Sequence, residues 1–257
     1  MNVVVEHLSA WTGVAASRPR AMTWELRHGD AFHPMSGLAS LPDGTVDHVV
    51  ADPPYSAHVD ANSVRGGGTV RARIGIGVIT GREVDALVEQ SCRVAKAWLV
   101  FFTDFESVHL YKSALEIHGG RFVRTCAWAK PDCAPQFSGD RPAAWGEAIV
   151  VGHAQRKGRM RWNGRGKRGL YRSTICRGAE RTEHPTQKPA RLMREIVADF
   201  TNVGDLVVDP YAGTGTTGVA CLALGRRFLG WEVEPRWADI ARQRLASAAM
   251  AQAEAAS

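Results

Sequence analysis

The sequence has few cysteines, and their spacing suits neither a disulfide framework nor a zinc site. Five cysteines are scattered along 257 residues, and no two of them form a Cys-x-x-Cys pair. Such a set favours free thiols in a reducing compartment. No apolar run approaches the ~20 residues that a membrane-spanning helix needs, and the N-terminal segment lacks the features of a signal peptide. These absences predict a cytoplasmic globular protein without a resident metal.

Acidic residues are fewer than basic ones, 26 against 32, and the formal net charge is +6. The excess is concentrated between Arg156 and Arg181, where ten lysines and arginines face one acid, Glu180. A dense basic segment with interleaved aromatic residues is typical of contact with a polyanion. An ordinary solvated face is the alternative. We predict that an insertion of about residues 153–183 contacts DNA through Arg161, Trp162, Arg165, Lys167, Arg168 and Arg172.

The hydrophobic pattern predicts a single α/β domain. Trp98 to Thr103 is apolar throughout, as a parallel strand covered on both faces should be. Glu83 to Ala97 and Phe105 to His118 carry apolar residues at helical spacing. The chain is long enough for one such domain with a modest insertion. Residues 1–23 are predicted to be a loose N-terminal extension.

A second local feature is the block Asp52-Pro53-Pro54-Tyr55, which ends an apolar run that starts at Val46. Two prolines stop the strand because they have no N–H to donate. At the carboxyl edge of an open α/β sheet, Asp52 and the Pro53 carbonyl could accept both hydrogens of a ring-bound amine. Tyr55 could stack on the ring. A strand-ending turn with a surface tyrosine is the simpler alternative.

Two further blocks lie near the C-terminus. A short strand, Leu206 to Val208, runs into a turn with Gly213 and Gly215 and then into a helix, so the backbone can approach a ligand at the helix N-terminus. Alone, this pattern also fits a tight strand-to-helix connection. His184 to Pro189 precedes an amphipathic helix. The next strand ends at Glu232, a position that suits hydrogen bonds to ribose hydroxyls.

In this order, the three blocks closely resemble the S-adenosylmethionine-dependent amino-methyltransferases of DNA, β-group, over roughly residues 25–245. The resemblance implies a Rossmann-like, mostly parallel seven-stranded sheet with helices on both faces, in permuted order. It further implies methylation of N6 of adenine in double-stranded DNA, by base flipping and direct transfer. Asp-Pro-Pro-Tyr favours adenine. N4-cytosine methylation, a silent DNA-binding domain and an RNA or protein amine remain as alternatives.

The resemblance also implies roles for individual residues. The catalytic block is Asp52, Pro53, Pro54 and Tyr55. One departure from the family pattern is Tyr211, where phenylalanine is usual. The implied S-adenosylmethionine contacts are Asp30, Asp52, His184, Thr186, Gln187, Lys188, Asp209, Tyr211, Gly213, Gly215, Thr216, Thr217 and Glu232.

Further DNA contacts are expected outside the basic insertion. The glycine- and arginine-rich stretch 56–81 is expected to close over the flipped base, through Arg65, Arg71 and Arg73. An ordinary surface loop is the alternative. Lys130 lies in a block that resembles one lining the target-base pocket, although a solvated lysine would fit the same sequence. A homodimer, a cognate restriction nuclease and a bacterial or phage-encoded, nucleoid-associated enzyme are the partners and setting that the family implies.

Overall fold

The computed structural model describes residues 23–54, 79–133, 135, 137 and 139–255. Tyr55, Arg65, Arg71, Arg73 and nearly all of the predicted N-terminal extension lie outside these residues. The strands are β1 (Trp24–His28), β2 (His48–Ala51), β3 (Trp98–Thr103), β4 (Arg121–Ala129), β5 (Gly146–His153), β6 (Leu170–Arg172), β7 (Leu206–Asp209) and β8 (Arg227–Glu232). The helices are α1 (Gly81–Val94), α2 (Val108–Ile117), α3 (Ala190–Phe200), α4 (Thr216–Ala223) and α5 (Pro235–Ala255), with short 3-10 turns at Leu38–Ser40 and Gly178–Glu180.

The described strands form one sheet in the order β1-β8-β7-β2-β3-β5-β4-β6. All neighbours pair in parallel except β5, which runs antiparallel to β3 and β4. The mostly parallel α/β fold is therefore confirmed. The sheet has eight strands rather than the predicted seven, because β6 lies inside the basic insertion. A three-residue strand is too short to show an alternating pattern in the sequence.

Helices cover both faces of the sheet and explain its apolar strands. Along β3, Trp98, Val100 and Phe102 belong to the core cluster that also contains residues of α3, α4 and α5. Leu99 and Phe101 belong to the opposite cluster, with residues of α1 and α2. Successive side chains of a strand point to opposite faces, so a strand buried on both sides is apolar at nearly every position. No helix of the described residues is long and apolar enough to cross a membrane.

The strand order creates a cleft at the carboxyl edge. From β2 the chain continues outward to β3, whereas β7 continues in the other direction to β8. β2 and β7 are nevertheless neighbours in the sheet. In open α/β sheets, this switch point leaves room for a ligand between the loops that follow the two strands. Asp52 follows β2, and the glycine-containing turn follows β7.

Candidate active site

A cleft with a volume of about 380 Å³ lies at the carboxyl ends of β2, β7 and β8. It brings together residues from all three predicted blocks. Among the described residues predicted to bind the cofactor, Gly215 is absent from the lining. The lining includes Asp30, Asp52, His184, Thr186, Gln187, Lys188, Asp209, Tyr211, Gly213, Thr216, Thr217 and Glu232.

Asp52 lies beside a buried lysine. The Lys188 ammonium donates to Oδ1 of Asp52 at 2.5 Å, and the Lys188 side chain is only 7% exposed. The same ammonium lies 3.3 Å from Oε2 of Glu147. The other oxygen of Glu147 accepts from the Lys130 ammonium. Asp52, Lys188, Glu147 and Lys130 thus form a chain of alternating charges at the base of the cleft, which we call the charge chain.

The charge chain determines the protonation state of its members. Burial raises the pKa of Asp52, and the Lys188 ammonium opposes that rise. Burial acts to lower the pKa of Lys188, but the carboxylates of Asp52 and Glu147 outweigh it, so the pKa of Lys188 is raised. The Lys188 ammonium also lies 4.9 Å from the centre of the Phe102 ring, a favourable cation–π contact. Lys188 therefore stays charged beside Asp52.

The sequence did not indicate this cluster. Lys188 was predicted to contact the cofactor and Lys130 to contact DNA, and Glu147 had no assigned role. In the structure, Lys130 is half-buried, paired with Glu147, and its ammonium lies 4.3 Å from the centre of the Trp128 ring. Its charge is therefore directed into the protein, which argues against a phosphate contact. No local signal could have found the cluster, because its members come from four separate segments.

On the opposite side of the cleft, Glu232 is held by backbone amides. Its Oε2 accepts from the N–H of Gly213 at 2.8 Å, and its Oε1 accepts from the N–H of Glu234 at 2.8 Å. Burial raises the pKa of Glu232, and these hydrogen bonds oppose the rise. Gly213 has a φ of +53°, which favours glycine. Each carboxylate oxygen retains a second lone pair for a ligand hydroxyl.

Several residues predicted to bind the cofactor organise the loops that form the site. Asp209 is buried and accepts from the Tyr211 N–H at 2.9 Å and from the Thr217 hydroxyl at 2.6 Å. Burial raises the pKa of Asp209 to about 7. Gly215 has a φ of +78°, and an added Cβ would lie 3.2 Å from the Cβ of Ala241 on α5. These residues fix the turn between β7 and α4.

The block before α3 is held in a similar way. The Gln187 amide donates to the Glu180 carbonyl at 2.7 Å, and its oxygen accepts from the backbone and the hydroxyl of Thr182. Glu180 also accepts from the N–H of Ala190, the first residue of α3, so it caps the helix. Gln187 therefore orders the loop, and Thr186 stays exposed at the cleft.

Aromatic rings form the remaining walls of the cleft. The His184 ring meets Trp237 edge to face at 4.9 Å, and burial, with Lys188 and Arg181 nearby, lowers the pKa of His184 to about 4. Its Nδ1 is buried and has no hydrogen-bond partner within the described part of the chain. Tyr211 lies 6.0 Å from Phe32, measured between ring centres.

Asp30 lies at the mouth of the cleft, in the turn that follows β1. Its side chain is exposed, and its Oδ1 accepts from the N–H of Phe32 at 2.8 Å. The preceding residue, Gly29, donates its N–H to the carbonyl of Glu232 at 2.9 Å. Asp30 and Glu232, two of the four acidic residues that were predicted to bind the cofactor, are therefore held at one end of the cleft.

The first half of the basic insertion packs at the amino edge of the sheet, away from the cleft. The Trp98 indole, at the start of β3, donates to the Arg161 carbonyl at 2.6 Å. The Asn163 amide donates to carbonyls at the C-terminal end of α3, which it caps. Trp162 packs against the core. This half therefore anchors the insertion to the domain.

Lys167 is also part of this anchor. Its ammonium lies 2.5 Å from Glu195 and 2.6 Å from Asp199, both on α3. The Tyr171 hydroxyl donates to the same Asp199 oxygen at 2.9 Å. Two carboxylates already neutralise the charge of Lys167, which argues against the predicted DNA contact of this residue. Of the other predicted contacts, Arg161 and Arg165 are exposed near the amino edge.

The second half of the insertion returns to the carboxyl edge. β6 runs parallel to β4, and its last residue, Arg172, is in register with Ala129 at the end of β4. Arg172 and Arg168 are both exposed. Arg177 lies beyond β6 and pairs with Asp132 at 3.0 Å. The insertion thus presents basic side chains at the same edge as Asp52 only after residue 167.

The fold and the site together define an α/β domain of the kind that binds a nucleoside-containing cofactor at a switch point. The structure is similar to that of M1.HpyAVI in complex with SAM, with 26% identity and a TM-score of 0.66, covering 86% of this chain and 98% of the other. It also has the fold of PvuII DNA methyltransferase, described as cytosine-N4-specific, with a TM-score of 0.68, 86% of each chain covered and 15% identity.

Residues 46–243 match the DNA methylase family of N6 and N4 methyltransferases, and the chain belongs to that family. It is similar to Type II methyltransferase M2.DpnII from Streptococcus pneumoniae, with 29% identity over 240 residues, 86% of this chain and 88% of the relative. It is 25% identical to M.HinfI from Haemophilus influenzae over 237 residues, which cover 81% of this chain and 65% of that relative. The family predicted from the three sequence blocks is confirmed. The protein is an S-adenosylmethionine-dependent DNA amino-methyltransferase.

Proposed function

We propose that this methyltransferase modifies the N6 amino group of adenine in double-stranded DNA. The observation that carries the proposal is Asp52, held by Lys188 at 2.5 Å in the same cleft as Glu232. A carboxylate at this point can receive a ring-bound amine. The Asp-Pro-Pro-Tyr sequence of the block supports adenine as the base, by its resemblance to the adenine-specific part of the family.

The residues of the cleft fit S-adenosylmethionine. Glu232 offers ribose hydroxyls an oriented carboxylate, and Asp30 lies nearby for the adenine amino group. His184, whose buried Nδ1 has no hydrogen-bond partner among the described residues, and Thr186 lie on the side of the cleft proposed for the methionine end. When bound, the cofactor supplies a methyl group activated by a positively charged sulfur.

The chain's own residues prepare the amine. Oδ1 of Asp52 accepts from Lys188, and Oδ2 makes no hydrogen bond to the residues that the structure describes. That oxygen and the Pro53 carbonyl are proposed to accept the two amino hydrogens, which draws the nitrogen lone pair out of conjugation with the ring. Asp52 orients and polarises the amine, and the nitrogen loses its proton only after positive charge has developed on it.

The test is to incubate the protein with methyl-labelled S-adenosylmethionine and mixed duplex DNA, digest the DNA and identify the labelled nucleoside. Labelled N6-methyl-2′-deoxyadenosine that disappears in Asp52→Ala is the expected result. Labelled N4-methyl-2′-deoxycytidine would keep the role of Asp52 and overturn the base. Label that appears only in RNA or protein would overturn DNA as the substrate. Bound cofactor with no transfer to any acceptor would indicate a silent domain.

We also propose that target recognition uses the part of the insertion that returns to the carboxyl edge, including Arg168 and Arg172. Arg172 is exposed at the carboxyl edge, on the side of the cleft, which supports this assignment, and Arg168 is exposed just before β6. A homodimer is proposed because one small domain reads few base pairs. We further propose a restriction nuclease as partner, which the similarity to Type II methyltransferases supports, and a cytoplasmic, nucleoid-associated location. Sedimentation with and without duplex DNA tests the dimer.

A further inference from the structure

Two large aromatic side chains are exposed at the carboxyl edge, outside the cleft. Phe105, just after β3, is 39% exposed, and Trp145, directly before β5, is 52% exposed. Their rings are stacked, with centres 5.1 Å apart and an angle of 29° between the planes. We call Phe105 and Trp145 the aromatic pair. Neither residue belongs to the lining of the cleft.

The aromatic pair lies beside the charge chain. Trp145 precedes Glu147 by two residues, and Glu147 contacts the lysine that holds Asp52. The Trp145 carbonyl accepts from the N–H of Lys130 at 2.9 Å, which fixes its backbone to the end of β4. Phe105 lies two residues beyond the end of β3, the neighbour of the strand that carries Asp52. The pair is therefore anchored at the rim of the site that receives the target base.

We propose that the aromatic pair packs against the base stack of DNA at the position that the flipped adenine vacates. This inference rests on the proposed function, because it requires a base in the Asp52 site. Flipping leaves unstacked base faces, and apolar side chains that insert between bases replace part of the lost stacking. Aromatic rings stack on any base, because every base has a π-face.

The charge of the surrounding surface agrees with a nucleic acid as the occupant. Exposed Arg172 is at the end of β6, in register with the last residue of β4, to which the backbone of Trp145 is tied. A guanidinium beside the rim can contact the phosphates that flank a flipped nucleotide. A second copy of the chain is the other partner that could cover exposed aromatic rings, and the experiment below distinguishes the two.

The test compares two duplexes that carry the sequence methylated by the wild-type protein, mapped beforehand by sequencing intact duplex DNA that the protein has methylated. In one, the target adenine faces thymine, and in the other it faces an abasic site, so flipping costs less. Trp145→Ala is expected to lower kcat/KM on the paired duplex by about ten- to hundredfold, the size of a lost base–aromatic stack. The abasic duplex should restore most of that loss. Phe105→Leu should show the same pattern more weakly, and Trp145→Phe should retain most activity.

Ile117→Ala provides the matched control. Ile117 is 73% exposed at the C-terminal end of α2, at the amino edge of the sheet. Its truncation should therefore leave kcat/KM unchanged on both duplexes. Unchanged kcat/KM in Trp145→Ala, or an equal loss on both duplexes, would overturn the proposal. Conversion of a wild-type dimer to a monomer by Trp145→Ala would assign the pair to a protein interface. Wild-type protein that methylates neither duplex would refute the proposed function instead.

Discussion

Replacement of Lys188 by methionine tests whether the charge chain controls the protonation of Asp52. The substitution keeps the volume of the side chain and removes the ammonium that lies 2.5 Å from Oδ1 of Asp52. Breaking a buried ion pair costs about 3–5 kcal/mol when the remaining charge has no partner. A carboxylate can avoid that cost by binding a proton. We therefore expect the pKa of Asp52 to rise above its already raised value.

The sign of the pH dependence follows from the chemistry. Asp52 must be ionised to accept the amino hydrogens, so activity is lost as pH falls through its pKa. In Lys188→Met the acid limb of the kcat profile should move to higher pH. We expect kcat at pH 7 to fall about 100-fold or more, with recovery toward pH 9. Glu147 acts to raise the pKa of Asp52, so Glu147→Gln should move the acid limb in the opposite direction.

Two further variants separate this effect from a general loss of structure. Lys188→Arg keeps the positive charge and should retain the position of the acid limb. Lys167→Met breaks an ion pair with two carboxylates on α3, remote from Asp52. It should lower stability and leave the pH profile unchanged. A Lys188→Met profile that is lowered equally at every pH would refute the reasoning, because it would show that Lys188 does not act through ionisation.

Three other predictions follow from the same geometry. Glu232→Gln replaces a carboxylate that accepts from two backbone N–H groups by an amide, which can accept through only one of its two polar atoms. Calorimetry should therefore show about tenfold to hundredfold weaker binding of S-adenosylmethionine. Unchanged affinity would contradict the ribose assignment. Tyr171→Phe removes the hydrogen bond to Asp199 and should lower the free energy of unfolding by about 1.5–3 kcal/mol in urea denaturation; no change would contradict the anchor. Because the pKa of His184 is lowered to about 4, its ring-proton NMR shifts should stay constant between about pH 5 and 8; a midpoint near its ordinary value would show that the ring is solvated.

Much of the fold was predictable from local pattern. β3 has an apolar side chain at nearly every position because helices cover both of its faces, and this pattern identifies a central parallel strand. β6 was missed, since its three residues form a strand only because β4 offers a free edge. Neighbouring strands decide such short segments, and periodicity does not.

The candidate site, like the fold, has parts that the sequence predicts and parts that only packing decides. The catalytic block and the glycine turn each fit within a few consecutive residues, because prolines that end a strand and glycines that admit a ligand act locally. Roles inside these blocks were less predictable. Gly215 packs against α5, and Gln187 orders its own loop. Sequence identified the segments that meet at the cleft, and packing decided which atoms face it.

What the sequence determined by itself was the family and its chemistry, since three short blocks in a fixed order carry both. Only the tertiary structure decided the partners of Asp52, because Lys188 lies 136 residues further along the chain. The structure alone also showed that the basic insertion extends from the amino side of the sheet to its carboxyl edge, since Lys167 pairs with carboxylates of α3 and Arg172 lies at the end of β6. The partners of Asp52 and the course of the insertion were hidden from the sequence for the same physical reason. Charge and periodicity are properties of neighbouring residues, whereas contacts between distant segments depend on the order in which strands join the sheet.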